Sequence, residues 1–118
     1  MSGDGAVIYG IKNCDTMKKA MRWLDAAGVV YRFHDYRRDG LDKQRLAAWC
    51  AALGWEVLLN RRGTTWRRLD DSLKADLDEG RAIELMAEHP ALIKRPVAEF
   101  AGRLEVGFSA GHYAAMFS

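Results

Sequence analysis

Apolar and polar positions change period several times along the chain, and each change marks an element. Ala6 to Ile11 is a short continuous apolar run, the mark of a buried strand. From Asp15 onward the apolar positions fall at Met17, Ala20, Met21, Leu24 and Ala27, which is helical spacing, and Gly28 supplies a stop. Val29 to Tyr36 is rich in Val, Tyr and Phe, with Tyr31, Phe33 and Asp35 alternating against Arg32 and His34, the period of a strand. Strand, helix and strand with tight connections predict a right-handed βαβ unit with parallel strands.

The middle of the chain reads as helical. Asp39-Gly40 is a turn, and Leu46, Trp49, Cys50 and Leu53 line one face of the next helix. A short Val57–Asn60 segment leads into Arg61-Arg62-Gly63-Thr64-Thr65-Trp66, and further helices are expected near Asp70–Leu77 and Arg81–Glu88, the latter ended by Pro90. The last third changes character again. Val97–Phe100 and Arg103–Phe108 are strand-like, joined by Ala101-Gly102 as in a hairpin, and Ser109 is placed to cap a final helix through Phe117. The predicted order is βαβ, a helical insert at about 41–90, then ββα, within one α/β domain spanning 1–118.

Length and composition agree with that reading and narrow the function classes. A chain of 118 residues, 49% hydrophobic and 29% charged, suits one globular domain. No apolar run approaches the ~20 residues of a membrane span. Met1–Gly5 reads as a leader outside the fold, and no secretory signal is visible, so a reducing cytoplasm is expected. A net charge of +2 is too small to imply a nucleic-acid binder. The cluster of Arg61, Arg62, Arg67 and Arg68 with Trp66 therefore reads as a solvated face or a small-anion site. His34, His89 and His112 have no metal-ligand spacing with either cysteine, so no metal site is expected.

Two cysteines are present, in opposite settings. Cys14 lies where the first strand stops and the first helix begins. A thiol there faces unsatisfied backbone N–H groups and the positive end of the helix dipole, both of which favour the nucleophilic thiolate. Lys12, Lys18 and Lys19 are expected to add positive charge. Cys50 shares the apolar helix face of Leu46 and Leu53 and reads as core. Arg95, just before Pro96, offers a planar fork for an oxyanion or carboxylate. Arg95-Pro96 on its residues alone reads as an ordinary trans proline opening an edge strand.

Three strings carry a resemblance. Tyr9-Gly10-Ile11-Lys12-Asn13-Cys14-Asp15-Thr16 resembles the active-site signature of the ArsC/Spx family of thioredoxin-like proteins, closest to its YffB-type branch. Leu58 to Arg67 and Ile93-Lys94-Arg95-Pro96-Val97 resemble the second and third strings of that branch, in order and at family spacing, and the similarity runs on through Gly107-Phe108-Ser109. The resemblance implies a thioredoxin-like fold, a thiol-dependent reductase with Cys14 as nucleophile, and a cis Arg95-Pro96 bond opposite it. Lys12, Asn13, Asn60, Arg61, Arg95 and Pro96 become the implied substrate- or glutathione-binding residues.

Thioredoxins carry a second cysteine three residues after the first, and here that position is Met17. Cys14 thus has no local resolving partner, and the resemblance implies glutathione as co-substrate, or a glutaredoxin-like thiol donor, acting on a small-molecule or disulfide substrate with no bound cofactor. The family offers two alternatives. Its arsenate reductases hold the oxyanion with three arginines; only Arg95 matches here, the other places falling near Glu56 and Val106. Its Spx-type regulators contact RNA polymerase and usually carry a CxxC switch, which Cys14 followed by Met17 is not.

Overall fold

The computed structural model describes residues 5–12 and 14–117. The chain divides into two compact units, Met1–Gly40 with Arg95–Ser118, and Leu41–Lys94. Among the described residues no helix is long and apolar enough to cross a membrane.

The first unit is built on a four-stranded sheet in the order β2-β1-β3-β4. Strand β1 (Ala6–Gly10) runs parallel to β2 (Tyr31–Asp35), with Tyr9 opposite His34. It runs antiparallel to β3 (Val97–Phe100), with Tyr9 opposite Val97, and β3 is antiparallel to β4 (Arg103–Val106). Helix α1 (Asp15–Ala26) connects β1 to β2, and the parallel pair with its helical crossover is the expected βαβ unit. The whole is the mixed α/β, thioredoxin-like arrangement that the element order predicts.

Alternation along the strands gives the sheet two different faces. Ala6, Ile8 and Ala98 point to one side and form a core with Met17, Ala20 and Leu24 of α1 and with Tyr113 and Met116 of the last helix. Ile8, Met17 and Leu24 are fully buried there, each contributing ~1.5–3 kcal/mol by its removal from water. Arg103 and Glu105 share this side of β4: Arg103 donates to the Ala115 carbonyl at 3.1 Å, and Glu105 approaches His112 at 3.7 Å. The other face carries Tyr9, His34, Val97 and Glu99.

The expected β2 is longer than the one found. Val29 donates its N–H to Leu24 as part of the helix stop, where Gly28 takes φ +70°, and Asp35 ends the strand by capping a one-turn helix, α2 (Tyr36–Asp39), through the Arg37 N–H at 2.9 Å. Strand β4 likewise stops short of Phe108, because Gly107 turns away at φ +80° and gives its N–H to the Pro96 carbonyl.

The second unit is helical. Helix α3 (Lys43–Leu53) packs against α4 (Trp55–Leu58) and, further along the chain, against α7 (Glu79–Glu88), with two one-turn helices between, α5 (Thr64–Arg68) and α6 (Asp71–Lys74). Asp42, Asp70 and Asp78 cap α3, α6 and α7 with their carboxylates. Its core holds Leu46, Trp49, Cys50, Leu58, Leu85, Met86 and Leu92. The expected Val57–Asn60 segment is the end of α4 followed by a bridge, Leu59 to Ile93, and the expected Asp70–Leu77 helix ends at Lys74, where Ala75 turns extended ahead of Asp76 at φ +53°. The ββα closure of the first unit completes the chain: Ala101 and Gly102 turn the hairpin at φ +51° and +77°, and Ser109 caps α8 (Ala110–Phe117) by accepting the His112 N–H.

Candidate active site

Cys14 is the N-cap residue of α1. Its backbone is extended, with φ −93° and ψ 132°, and its carbonyl accepts the Lys18 N–H at 3.0 Å to close the first turn. The half-buried thiol therefore stands at the open end of the helix. Burial on its own raises the thiol's pKa. That effect is outweighed by the Met17 N–H, by hydrogen bonding from the Arg95 side chain, by the Thr16 N–H and by the Arg95 charge, so the thiol sits below its ordinary value of 9.0.

The positive charge comes from a different place than the sequence suggests. Lys12, Lys18 and Lys19 are exposed, where water screens them, and the cation acting on the thiolate is Arg95. Arg95 precedes β3, and its peptide bond to the buried Pro96 is cis. The Pro96 carbonyl accepts from Gly107 at 2.8 Å, tying this turn to the end of β4.

Three residues after Cys14, Met17 is fully buried. It lies against Gly10 at the end of β1: a Cβ at Gly10 would come within 2.8 Å of Met17 Cε and closer still to its sulfur. The absence of a side chain at Gly10 thus lets the strand end and the first helical turn approach each other.

Behind Arg95 lies a polar cluster that sequence reasoning missed. Tyr9 donates its hydroxyl to Glu99 at 2.8 Å, and its ring lies 4.9 Å from that of His34. Tyr36 is 3% exposed, and its hydroxyl has no hydrogen-bond partner among the described residues. Burial pushes its pKa well above the ordinary tyrosine value; the Arg95 charge opposes that rise, while Tyr9 and Glu99 add to it. The antiparallel register, with Val7 opposite Glu99, makes Tyr9 and Glu99 diagonal neighbours on one face of the sheet.

The remaining candidates are distributed as follows. Lys12 is exposed in the turn after β1, and Asn13 lies outside the described residues. Asn60 and Arg61 belong to the second unit, where they line an open cleft of about 440 Å³ with Glu56, Leu59, Arg62 and Lys94. The Asn60 side-chain Oδ1 accepts the Arg62 N–H at 3.0 Å, its Nδ2 would lie 3.1 Å from a Cβ at Gly63, and the Arg61 guanidinium rests 5.3 Å from the Trp55 ring centroid. Among the described residues no cluster of three or more His, Cys, Asp or Glu side chains is arranged to hold a metal ion.

The chain as a whole is similar to known proteins. The model of the ArsC family matches residues 9–116. An uncharacterised protein of Haemophilus influenzae is 47% identical over 111 residues, covering 94% of this chain and 97% of its own length. Among solved structures, the YffB protein is 57% identical with a TM-score of 0.93, covering 96% of this chain and 99% of its own. An ArsC-related protein of Brucella melitensis is 48% identical with a TM-score of 0.76, covering 97% and 95%.

Proposed function

The chain belongs to the ArsC family, and on that premise we propose that it is a thiol–disulfide reductase that works through Cys14 alone and takes glutathione as its co-substrate. One observation carries the reading: a thiol held below its ordinary pKa by a helix N-terminus and Arg95, with a buried methionine where a resolving cysteine would stand.

The chemistry follows from those parts. The Cys14 thiolate attacks the glutathione sulfur of a mixed disulfide R–S–S–G, forming Cys14–S–S–G and expelling the R–S⁻ thiolate, which takes a proton from water. A glutathione thiolate then attacks the glutathione sulfur of the adduct, forming oxidised glutathione and returning Cys14 as a thiolate. One disulfide is reduced and one is formed, so electrons balance without a bound cofactor. Arg95 favours the thiolate both as attacking and as leaving group, and Met17 prevents internal resolution.

Reduction of bis(2-hydroxyethyl) disulfide by glutathione, followed with glutathione reductase and NADPH, tests the reading. Activity is expected in the native chain and in Cys50→Ser, and only the uncatalysed rate in Cys14→Ser. Equal rates with and without the protein would refute it.

Arsenate reduction is the weaker reading. Where family arsenate reductases place two further arginines this chain has residues near Glu56 and Val106, and loss of one oxyanion donor commonly costs ~2.7–4 kcal/mol of transition-state stabilisation. Arsenate turnover with glutathione and glutaredoxin is expected to be negligible; turnover that disappears in both Cys14→Ser and Arg95→Ala would reverse the ranking. The regulator reading lacks its CxxC switch, because residue 17 is methionine.

A further inference from the structure

Thiol exchange at Cys14 uses no carboxylate, yet one stands half-buried in the same unit and is held in a fixed place. Glu99 lies on β3 opposite Val7 and Leu104, on the face of the sheet that also carries Tyr9 and His34. Tyr9 donates its hydroxyl to Glu99 Oε1 at 2.8 Å. That anchor is itself wedged: Tyr9 is buried, its ring lies against His34, and the His34 ring stands edge-on to Tyr36 at 6.5 Å. The other charged groups around the carboxylate are engaged elsewhere or screened by water. His34 turns Nε2 to the Gly40 carbonyl at 2.7 Å, and Arg38 bonds Asp39 in solvent. Arg32, across Val7, and Arg37 are exposed, and β4 contributes only Leu104 and Val106 to this face.

The buried Tyr36 hydroxyl marks where the charges meet. It has no hydrogen-bond partner among the described residues, and both the Arg95 cation and the Glu99 carboxylate act on it. The two charges therefore border one enclosed space, where opposite charges attract strongly and an uncompensated guanidinium is costly. Arginine has a long, flexible side chain and does not keep one orientation toward a sulfur unless something anchors it. Its guanidinium has enough N–H donors to bond a sulfur and a carboxylate at once. We propose that Glu99 is a positioning residue: its carboxylate, anchored by Tyr9, holds the Arg95 guanidinium in the orientation from which it bonds the Cys14 sulfur. On charge alone Glu99 opposes a thiolate; its benefit is geometric. The inference deepens the reductase reading and rests on Cys14 as its nucleophile.

The pH profile of iodoacetamide labelling of Cys14, taken in the Cys50→Ser background, separates charge from geometry. If Glu99 were only a negative charge near Arg95, Glu99→Gln would speed labelling at neutral pH. Positioning predicts the reverse: labelling slows about fivefold in Glu99→Gln and about twofold in Tyr9→Phe, which keeps the charge and removes only its anchor. Above the ordinary thiol pKa both variants should label like their parent. In an Arg95→Met background neither change should slow labelling further, because Glu99 acts through Arg95. Faster labelling or an unchanged profile in Glu99→Gln, an equal loss at every pH, or the same loss with and without Arg95 would overturn the proposal. Labelling needs no glutathione, so that failure is distinct from failure of disulfide reduction by the native chain, which bears on the reductase reading alone.

Discussion

The two cysteines of this chain are the same side chain in opposite surroundings. Cys14 caps a helix in the first unit, half-buried, with backbone N–H groups and Arg95 drawing its pKa down despite the cost of burial. Cys50 lies inside α3 in the second unit, 2% exposed in the core that holds Leu46 and Trp49; burial, and then the charge of Glu79, push its pKa up to about 11. Burial acts in the same direction on both. What separates them is that Cys14 has donors to compensate its charge and Cys50 has none acting on it, so the direction of the pKa shift is set by hydrogen-bond donors rather than by exposure alone.

Supplying the partner that Cys14 lacks should alter the chemistry most. In Met17→Cys the glutathione adduct on Cys14 is expected to resolve internally, so that the intact mass after oxidation shows an intramolecular disulfide between Cys14 and the introduced thiol in place of a stable adduct. Stability should fall by less than the ~2–5 kcal/mol of a methionine-to-alanine truncation. An adduct as long-lived as in the native chain would mean that something other than the missing thiol protects it.

Removing the compensating charge comes next. Arg95→Met is expected to slow iodoacetamide labelling of Cys14 about tenfold at neutral pH, as loss of a hydrogen bond from a charged group does, and far less above the thiol's ordinary pKa. A loss equal at all pH values would assign Arg95 a purely structural role. On the Cys50 side, Cys50→Ser should cost ~1–3 kcal/mol in denaturant unfolding, because a hydroxyl replaces a thiol in an apolar core, while leaving thiol exchange intact.

The smallest expected effect is also the one that contrasts the pair directly. The folded-state pKa of Cys14 lies below the unfolded value of about 9, so its contribution to stability is present above pH 9 and lost as pH falls through the folded value. The folded value of Cys50 is about 11, so its contribution is complete below pH 9 and lost as pH rises towards 11. Unfolding free energies of Cys14→Ala and Cys50→Ala relative to the native chain should therefore move in opposite directions between neutral pH and pH 11. Parallel slopes would contradict the two environments.

The element order and the position of Cys14 were legible because they rest on local signals: an apolar run, a change of period at Asp15, a glycine stop at Gly28. The one-turn helix α2 was not, because Asp35 fits a strand alternation equally well until its carboxylate is seen to cap the next turn. The lysines around Cys14 looked decisive since they are near in sequence, whereas Arg95, 81 positions away, supplies the charge that acts on the sulfur. The Tyr9–Glu99 pair needs the antiparallel register of β1 and β3, and the role of Gly10 needs the path of Met17, neither of which periodicity encodes.

The central claim, that Cys14 alone is the nucleophile and has no internal partner, is tested most directly by intact mass and peptide mapping after exposure to oxidised glutathione. One glutathione per chain, mapped to Cys14 and absent from Cys14→Ser, is the expected result. An adduct on Cys50, or an intramolecular Cys14–Cys50 disulfide, would contradict it.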